Sequence, residues 1–214
     1  MPRLRLAVLV SGRGSNLENL LAAARDGHLD ADIALVVSNR PEAPAVEIAR
    51  RGGVPLRIIE SVGRTREAHE SDVQAALADA RPDLVVLAGY MRILTPSFLR
   101  AWTGRLINIH PSLLPAFPGM DAQRQAHERN VRIAGCTVHF VTEQVDGGPI
   151  LAQAAIAIPA GATPDDVNRL ILDAEHRLYP YALQLLATGR ARLEAGRVVY
   201  SGTHTATSTV VISP

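Results

Sequence analysis

"LRLAVLVSGRGSNLENLLAAARDG", residues 4–27, sets an apolar run, a glycine-rich break and an amphipathic repeat in direct succession. Residues 4–10 read as a buried strand. Leu17, Leu20, Leu21 and Ala24 then recur at helical spacing, and Gly27 stops the repeat. The alternation continues. "ADIALVVSN" (31–39) predicts a second strand and "APAVEIARRGG" (43–53) a short helix. "VPLRIIE" (54–60) predicts a third strand, "TREAHESDVQAALADARP" (65–82) a helix terminated by Pro82, and "DLVVLAGY" (83–90) a fourth strand. Strands that are apolar almost throughout suit a parallel sheet covered on both faces. The reading is α/β, a Rossmann-like doubly wound half. Such sheets bind ligands beyond the carboxyl ends of their strands, so the candidate loops follow residues 10, 38, 60, 89 and 110.

From about residue 105 the pattern changes. "RLINIH" (105–110) is a fifth strand, and Pro111, Pro115 and Pro118 restrain the loop after it. A short helix is predicted near 121–129. "RIAGCTVHFV" (132–141) and "PILAQAAIAI" (149–158) read as an antiparallel pair joined by "TEQVDGG". "TPDDVNRLILDAEHRLYP" (163–180) is a helix with Thr163 as N-cap, Pro164 in the first turn, and Asp165 and Asp166 at its positive end. "RLEAGRVVY" (192–200) reads as a hairpin turning at Ala195-Gly196. Residues 1–202 are expected to form a single domain in two halves, 1–104 and 105–202, with 203–214 a flexible tail.

Composition bounds the chemistry. The chain has 214 residues and a net charge of +1, so no strong field steers it to nucleic acid or membrane. All 22 basic residues are arginine. That excludes a Schiff-base lysine, a pyridoxal-phosphate lysine and a P-loop lysine. Cys136 is the only cysteine, so no internal disulfide forms, which suits a reducing cytoplasm. The N-terminus reads as a first strand rather than a signal peptide, and no run reaches the ~18 apolar residues of a spanning helix. The histidines show no H-E-x-x-H or similar ligand pair, so no metal is predicted.

Four stretches carry candidate chemistry. "SGRGSN" (11–16) lies between the first strand and its helix, where glycines let backbone N–H groups approach an anion. A dinucleotide fingerprint would need a third glycine where Leu17 stands, and an acid where Ser38-Asn39 end strand two. A monophosphate pocket remains, or a tight turn with no ligand. "LAGYMRIL" (87–94) sets Tyr90, Met91, Ile93 and Leu94 beside Arg92, which fits a planar ring in a cleft or plain core. Period-two alternation puts Asn108 and His110 on one strand face, as an oxyanion donor and proton shuttle or as a satisfied structural pair. Asp146 precedes Gly147-Gly148, as turn chemistry or as a carboxylate available to a histidine. Glu175 flanks the stripe of Val167, Leu170, Ile171, Ala174 and Leu178. A solvated helix face is its default and a cleft edge the alternative. Cys136 alternates with apolar neighbours and reads as core.

Together these motifs resemble the phosphoribosylglycinamide formyltransferases, folate-dependent enzymes of purine synthesis. "SGRGSNL", "LAGYMRIL", "INIHPSLLPAFPG", "HFVTEQVDGGPI" and "EHRLYP" stand in that family's order and spacing, over residues 5 to about 190. The resemblance implies a mixed seven-stranded sheet, with residues 1–104 as a phosphate-binding half and 105–202 as a catalytic and folate half. It implies a catalytic trio of Asn108, His110 and Asp146. It implies ribonucleotide contacts at Gly14, Ser15 and Asn16 and at Leu172, Asp173, Ala174 and Glu175. Folate contacts are implied at Arg66, at Met91, Arg92, Ile93 and Leu94, and at Asn108, Thr142, Glu143, Gln144, Val145 and Asp146. The implied co-substrate is 10-formyltetrahydrofolate, without metal, and the implied assembly is a monomer or homodimer. One departure stands out: the family usually carries a histidine where this chain has Asp121. Three relatives of the motifs stay open. Formyltetrahydrofolate deformylase has an extra N-terminal regulatory domain, whereas this chain is expected to begin at the first strand. Methionyl-tRNA formyltransferase has a tRNA-binding C-terminal domain and a basic surface. The third is a non-catalytic phosphate- or folate-binding module.

Overall fold

β1 (Leu4–Val10), α1 (Ser15–Arg25), β2 (Ala31–Ser38), α2 (Pro44–Arg51), β3 (Leu56–Ile58), α3 (Arg66–Ala80), β4 (Leu84–Leu87) and α4 (Pro96–Ala101) alternate up to β5 (Leu106–His110). This computed structural model describes residues 3–202, so the expected tail at 203–214 lies outside the described residues. The chain divides into two units, Met1–Asn108 and Ile109–Pro214.

In the first unit β1 pairs in parallel with both β2 and β4, while β3 adds to β2 and β5 to β4. The chain therefore builds outward from β1 in one direction and then returns to build in the other. The place where strand order reverses, between β1 and β4, is where open α/β sheets hold ligands. Leu6–Val10 are fully buried, as a central strand covered on both faces requires. Three boundaries differ from the sequence reading. β3 spans three residues rather than 54–60, because it is an edge strand entered through Pro55, which has no N–H for a ladder. β4 ends at Leu87 rather than Tyr90, because Gly89 turns the chain at φ 71°. The helix α4 was not foreseen. Its six residues are too few to show a period, although Thr95 caps it by accepting from Phe98 N–H at 3.2 Å, with Pro96 in its first turn.

The second unit holds the last two residues of β5, α5 (Ala122–Glu128), β6 (Ile133–Phe140), β7 (Ile150–Ala157), α6 (Pro164–Ala187), β8 (Ala191–Glu194) and β9 (Arg197–Tyr200). β6 and β7 are antiparallel, and the sheet order is β3-β2-β1-β4-β5-β6-β7. β8 and β9 form a separate hairpin whose turn, Ala195-Gly196, has both φ angles positive (47° and 76°), as a tight type I′ turn requires. Helix α6 does not stop at Pro180; it runs on to Ala187. An interior proline costs about 3 kcal/mol. Tyr179, Ala182, Leu183 and Leu185 are buried beyond or beside it, at roughly 1.5–3 kcal/mol for each large side chain, and that outweighs the proline.

Gly135 of β6 is a point of close approach. A Cβ there would lie 1.9 Å from the Ala154 carbonyl oxygen and 2.9 Å from Leu113 Cδ2. Gly135→Ala is therefore expected to lower stability by about 1–3 kcal/mol or more, read as a fall in the urea midpoint. Gly12→Ala, where nothing lies within 4 Å, should leave the midpoint unchanged or slightly raised. An unchanged midpoint in Gly135→Ala would contradict the close approach.

Candidate active site

Within the first unit, the loops at the strand reversal are laced together by backbone and small polar side chains. Gly14 takes φ 81°, and a Cβ on it would sit 2.7 Å from Ala45 Cα, so only glycine lets the loop pack on α2. Ala45 N–H in turn donates to the Gly12 carbonyl at 3.1 Å. α1 then starts at Ser15 without a side-chain cap, which presents its first-turn N–H groups and positive dipole end. Ser11 joins this loop to the one after β4. Its N–H donates to Gly89 O at 3.2 Å, and its Oγ accepts from Met91 N–H at 2.8 Å. Gly14, with Ser15 and Asn16 opening α1, thus lies beside the loop of residues 91–94.

The 91–94 stretch is pinned below and open above. Leu94 is buried, whereas Met91 is 71% exposed and Ile93 67%. Thr95 holds the base: its N–H donates to Glu70 at 2.9 Å, and its hydroxyl donates to the other Glu70 oxygen. Arg92 donates to the Ser61 carbonyl at 3.4 Å, and Asn39 donates to Ser61 Oγ at 2.9 Å. Arg66 is exposed at the start of α3, while its neighbour Arg64 is held by Asp72 at 2.8 Å. The sequence reading did not single out Ser11, Asn39, Ser61, Glu70 or Thr95. The available signal was that Ser11, Asn39 and Ser61 each stand just past a strand's carboxyl end.

In the second unit the structure brings His110 and Asp146 together. His110 ends β5, two residues after half-buried Asn108. Its Nε2 lies 2.9 Å from the Phe117 carbonyl and its Nδ1 lies 3.4 Å from Asp146 Oδ2. A carbonyl only accepts, so Nε2 carries the hydrogen. Nδ1 can then donate to the carboxylate only when the ring is doubly protonated. Asp146 Oδ2 also accepts from Gly119 N–H at 2.7 Å. Asp146 itself sits at φ 51° in the β6–β7 loop, with Thr142–Val145 exposed before it. A Cβ on Gly148 would lie 1.8 Å from the Phe140 carbonyl oxygen, so glycine there lets the loop close beneath Asp146.

The proline loop after His110 is held by hydrogen bonds as well as by its prolines. Buried Thr137 donates to Ser112 O at 2.7 Å and accepts from Leu114 N–H at 3.0 Å. Gln153 donates to Leu114 O at 2.9 Å. Asp121 is not part of this arrangement: it is exposed and pairs with Arg124 at 3.2 Å. A second imidazole nevertheless stands on Asp146. His139, 1% exposed, places Nε2 3.7 Å from Asp146 Oδ1. The sequence reading missed it, although "TVHFV" puts it on the strand face shared with Thr137.

On α6 the stretch 172–175 divides. Asp173 is exposed and Leu172 half-buried, while Ala174 and Glu175 face inward. Glu175 is 7% exposed, which corrects the default of a solvated face. It turns inward because it follows Ala174 on the side of α6 packed against β6. Burial, with Glu175 nearby, pushes the Cys136 thiol up to about 12, so it carries no thiolate chemistry. Burial and Glu175 likewise raise the Tyr179 phenol.

Fully buried His69 gives a readable pH dependence. Its Nε2 lies 2.9 Å from the Ile59 carbonyl, and burial lowers its pKa from 6.5, with Arg92 and Arg64 pushing the same way. The unfolded chain therefore binds the extra proton more readily than the folded one. Stability from this site is complete above about pH 6.5 and is lost as pH falls through the lowered value. The urea midpoint should drop between pH 7.5 and pH 5, and the drop should be smaller in His69→Gln. An equal drop in both proteins would remove His69 as the cause.

Comparison with known proteins agrees with this arrangement. Residues 4–183 match the family described as formyl transferase. The Escherichia coli (strain K12) phosphoribosylglycinamide formyltransferase is 39% identical over 191 residues, covering 89% of this chain and 90% of that protein. The trifunctional purine biosynthetic protein adenosine-3 of Bos taurus is 41% identical over 198 residues. That match covers 92% of this chain, which spans only 20% of the trifunctional protein's length. The crystal structure of glycinamide ribonucleotide transformylase 1 from Symbiobacterium toebii superposes with a TM-score of 0.89 at 46% identity, over 92% of this chain and 94% of that one. With the matched residues running from β1 into α6, the chain belongs to the formyl transferase family.

Proposed function

We propose that this chain transfers a formyl group from 10-formyltetrahydrofolate to the amino group of 5'-phosphoribosylglycinamide, in purine (IMP) biosynthesis. The observation that carries the reading is the His110 ring, which has an acceptor at each nitrogen: the Phe117 carbonyl and the Asp146 carboxylate. A ring so placed suits a proton donor in a buried setting, which formyl transfer to an amine requires.

The roles follow from the chemistry. The substrate amine attacks the formyl carbon and forms the new C–N bond, and the carbonyl becomes a tetrahedral oxyanion. Asn108 donates its amide hydrogens to that oxygen, and doubly protonated His110 assists. Asp146 favours the charged His110 ring, and a proton is relayed from the attacking amine toward the folate nitrogen, whose bond to the formyl carbon breaks. No acyl-enzyme intermediate is needed, in keeping with the absence of lysine and a thiol held protonated. The first-turn N–H groups at Gly14, Ser15 and Asn16 receive the ribonucleotide phosphate, and Leu172, Asp173, Ala174 and Glu175 contact the rest of that substrate. Exposed Met91 and Ile93 give apolar surface to the pterin ring, with Arg92 and the main chain of buried Leu94 beside them. Thr142, Glu143, Gln144 and Val145 line its other contacts, and Arg66 meets the folate's acidic tail.

One assay separates the readings. Protein is mixed with 5'-phosphoribosylglycinamide and 10-formyl-dideazafolate, and release of the deformylated folate is followed. Release that depends on the ribonucleotide is expected; release without it would assign a deformylase instead. Asn108→Ala and Asp146→Ala should each lower kcat by about 10²–10³, or ~3–4 kcal/mol of transition-state stabilisation, with the circular dichroism of the folded protein retained. Near-normal turnover in folded Asp146→Ala would remove that residue from the mechanism.

A further inference from the structure

We propose that Glu70 is a positioning residue for the folate co-substrate, holding residues 91–94 at a fixed distance from the start of α3, where Arg66 stands. The inference rests on the reading above that gives the pterin ring to residues 91–94 and the acidic tail to Arg66. Glu70 is 5% exposed, and Thr95 takes both of its carboxyl oxygens. Oε1 accepts from the Thr95 N–H at 2.9 Å, and Oε2 accepts from the Thr95 hydroxyl. That hydroxyl oxygen in turn accepts from the Phe98 N–H at 3.2 Å, so its own hydrogen is left for Glu70. Thr95 is thereby held by main chain and side chain at once, directly after the exposed stretch. It is 7% exposed, so without Glu70 its N–H would stand buried and unpaired.

Three ties hold residues 91–95 within the first unit. Met91 N–H donates to Ser11 Oγ at 2.8 Å, Arg92 donates to the Ser61 carbonyl at 3.4 Å, and Thr95 meets Glu70. The last two run to the segment 61–70, which carries Arg66. They are not equal. The Ser61 carbonyl is shared with the Arg64 N–H, also at 3.4 Å, and both contacts are long for a hydrogen bond. Glu70 gives the strong tie, with two buried bonds to one residue. Glu70 follows Arg66 by four residues, about 6 Å along the axis of α3. One carboxyl group therefore sets the spacing between the apolar platform of Met91 and Ile93 and the guanidinium of Arg66. A ligand with a planar ring and a distal carboxylate meets both, and its affinity depends on that spacing. With the tie removed, Met91 and Ile93 must be ordered when the ring arrives, which weakens binding.

Binding tests this directly. The protein is titrated calorimetrically with 10-formyl-dideazafolate and, separately, with 5'-phosphoribosylglycinamide. Glu70→Ala should raise the folate Kd about tenfold and leave the ribonucleotide Kd within about twofold. In the formyl-transfer assay the loss should appear in the folate KM and not in kcat. Hydrogen exchange, which needs no substrate, should show faster exchange at the amides of residues 91–95, with β1 and β2 unchanged. An unchanged folate Kd in folded Glu70→Ala, equal losses for both substrates, or unchanged exchange at 91–95 would make Glu70 merely structural and overturn the proposal. Wild-type protein that binds no folate would overturn the folate reading of residues 91–94, and this proposal with it. Should the alanine fail to fold, Glu70→Gln, which keeps the shape and one acceptor oxygen, is read in the same way. A rise of about threefold in folate Kd is then expected, and no rise would overturn the proposal.

Discussion

The Asp146 carboxylate is 11% exposed and takes its main-chain position in the left-handed region, at φ 51°. A charge withdrawn from water to that extent must be met by donors, or it destabilises the fold by several kcal/mol. Its donors come from segments distant in sequence. Gly119 N–H closes the far end of the proline loop, and the His110 ring, a donor to the carboxylate when doubly protonated, stands at the near end. The same carboxylate therefore shapes the loop and holds the ring. The cost of holding an aspartate at positive φ is tolerable because Asp and Asn visit that region more readily than other side chains. Gly148 completes the arrangement by letting the loop pass against the Phe140 carbonyl.

The first unit solves a different problem by different means. Its loops carry few charges that need burial, and they are held by main-chain groups and short hydroxyls at the strand reversal. Ser11 uses both its N–H and its Oγ to join the loops after β1 and β4. Glu70 is the exception, a buried carboxylate taken up by the N–H and hydroxyl of Thr95. Its location beneath residues 91–94 leaves Met91 and Ile93 exposed over a base that cannot shift without unpairing a buried charge. Rigidity below and apolar exposure above is the arrangement a planar ligand needs, because little conformational entropy is then lost on binding.

The central strands were legible because burial on both faces writes a continuous apolar run. β1, β2 and β4 announce themselves that way, and the N-cap at Thr163 is equally plain. Where the outcome depended on contacts distant in sequence, the reading ran short. Pro180 looks like a terminator, and only the buried residues after it show why α6 continues. Glu175 borders the apolar stripe, and only the packing of α6 on β6 turns it inward. The prolines after His110 are visible in sequence. The hydrogen bonds of Thr137 and Gln153 that fix the same loop are not, since nothing local relates residue 137 to residues 112 and 114. Asp121 was legible as a departure, but its pairing with Arg124 needed coordinates.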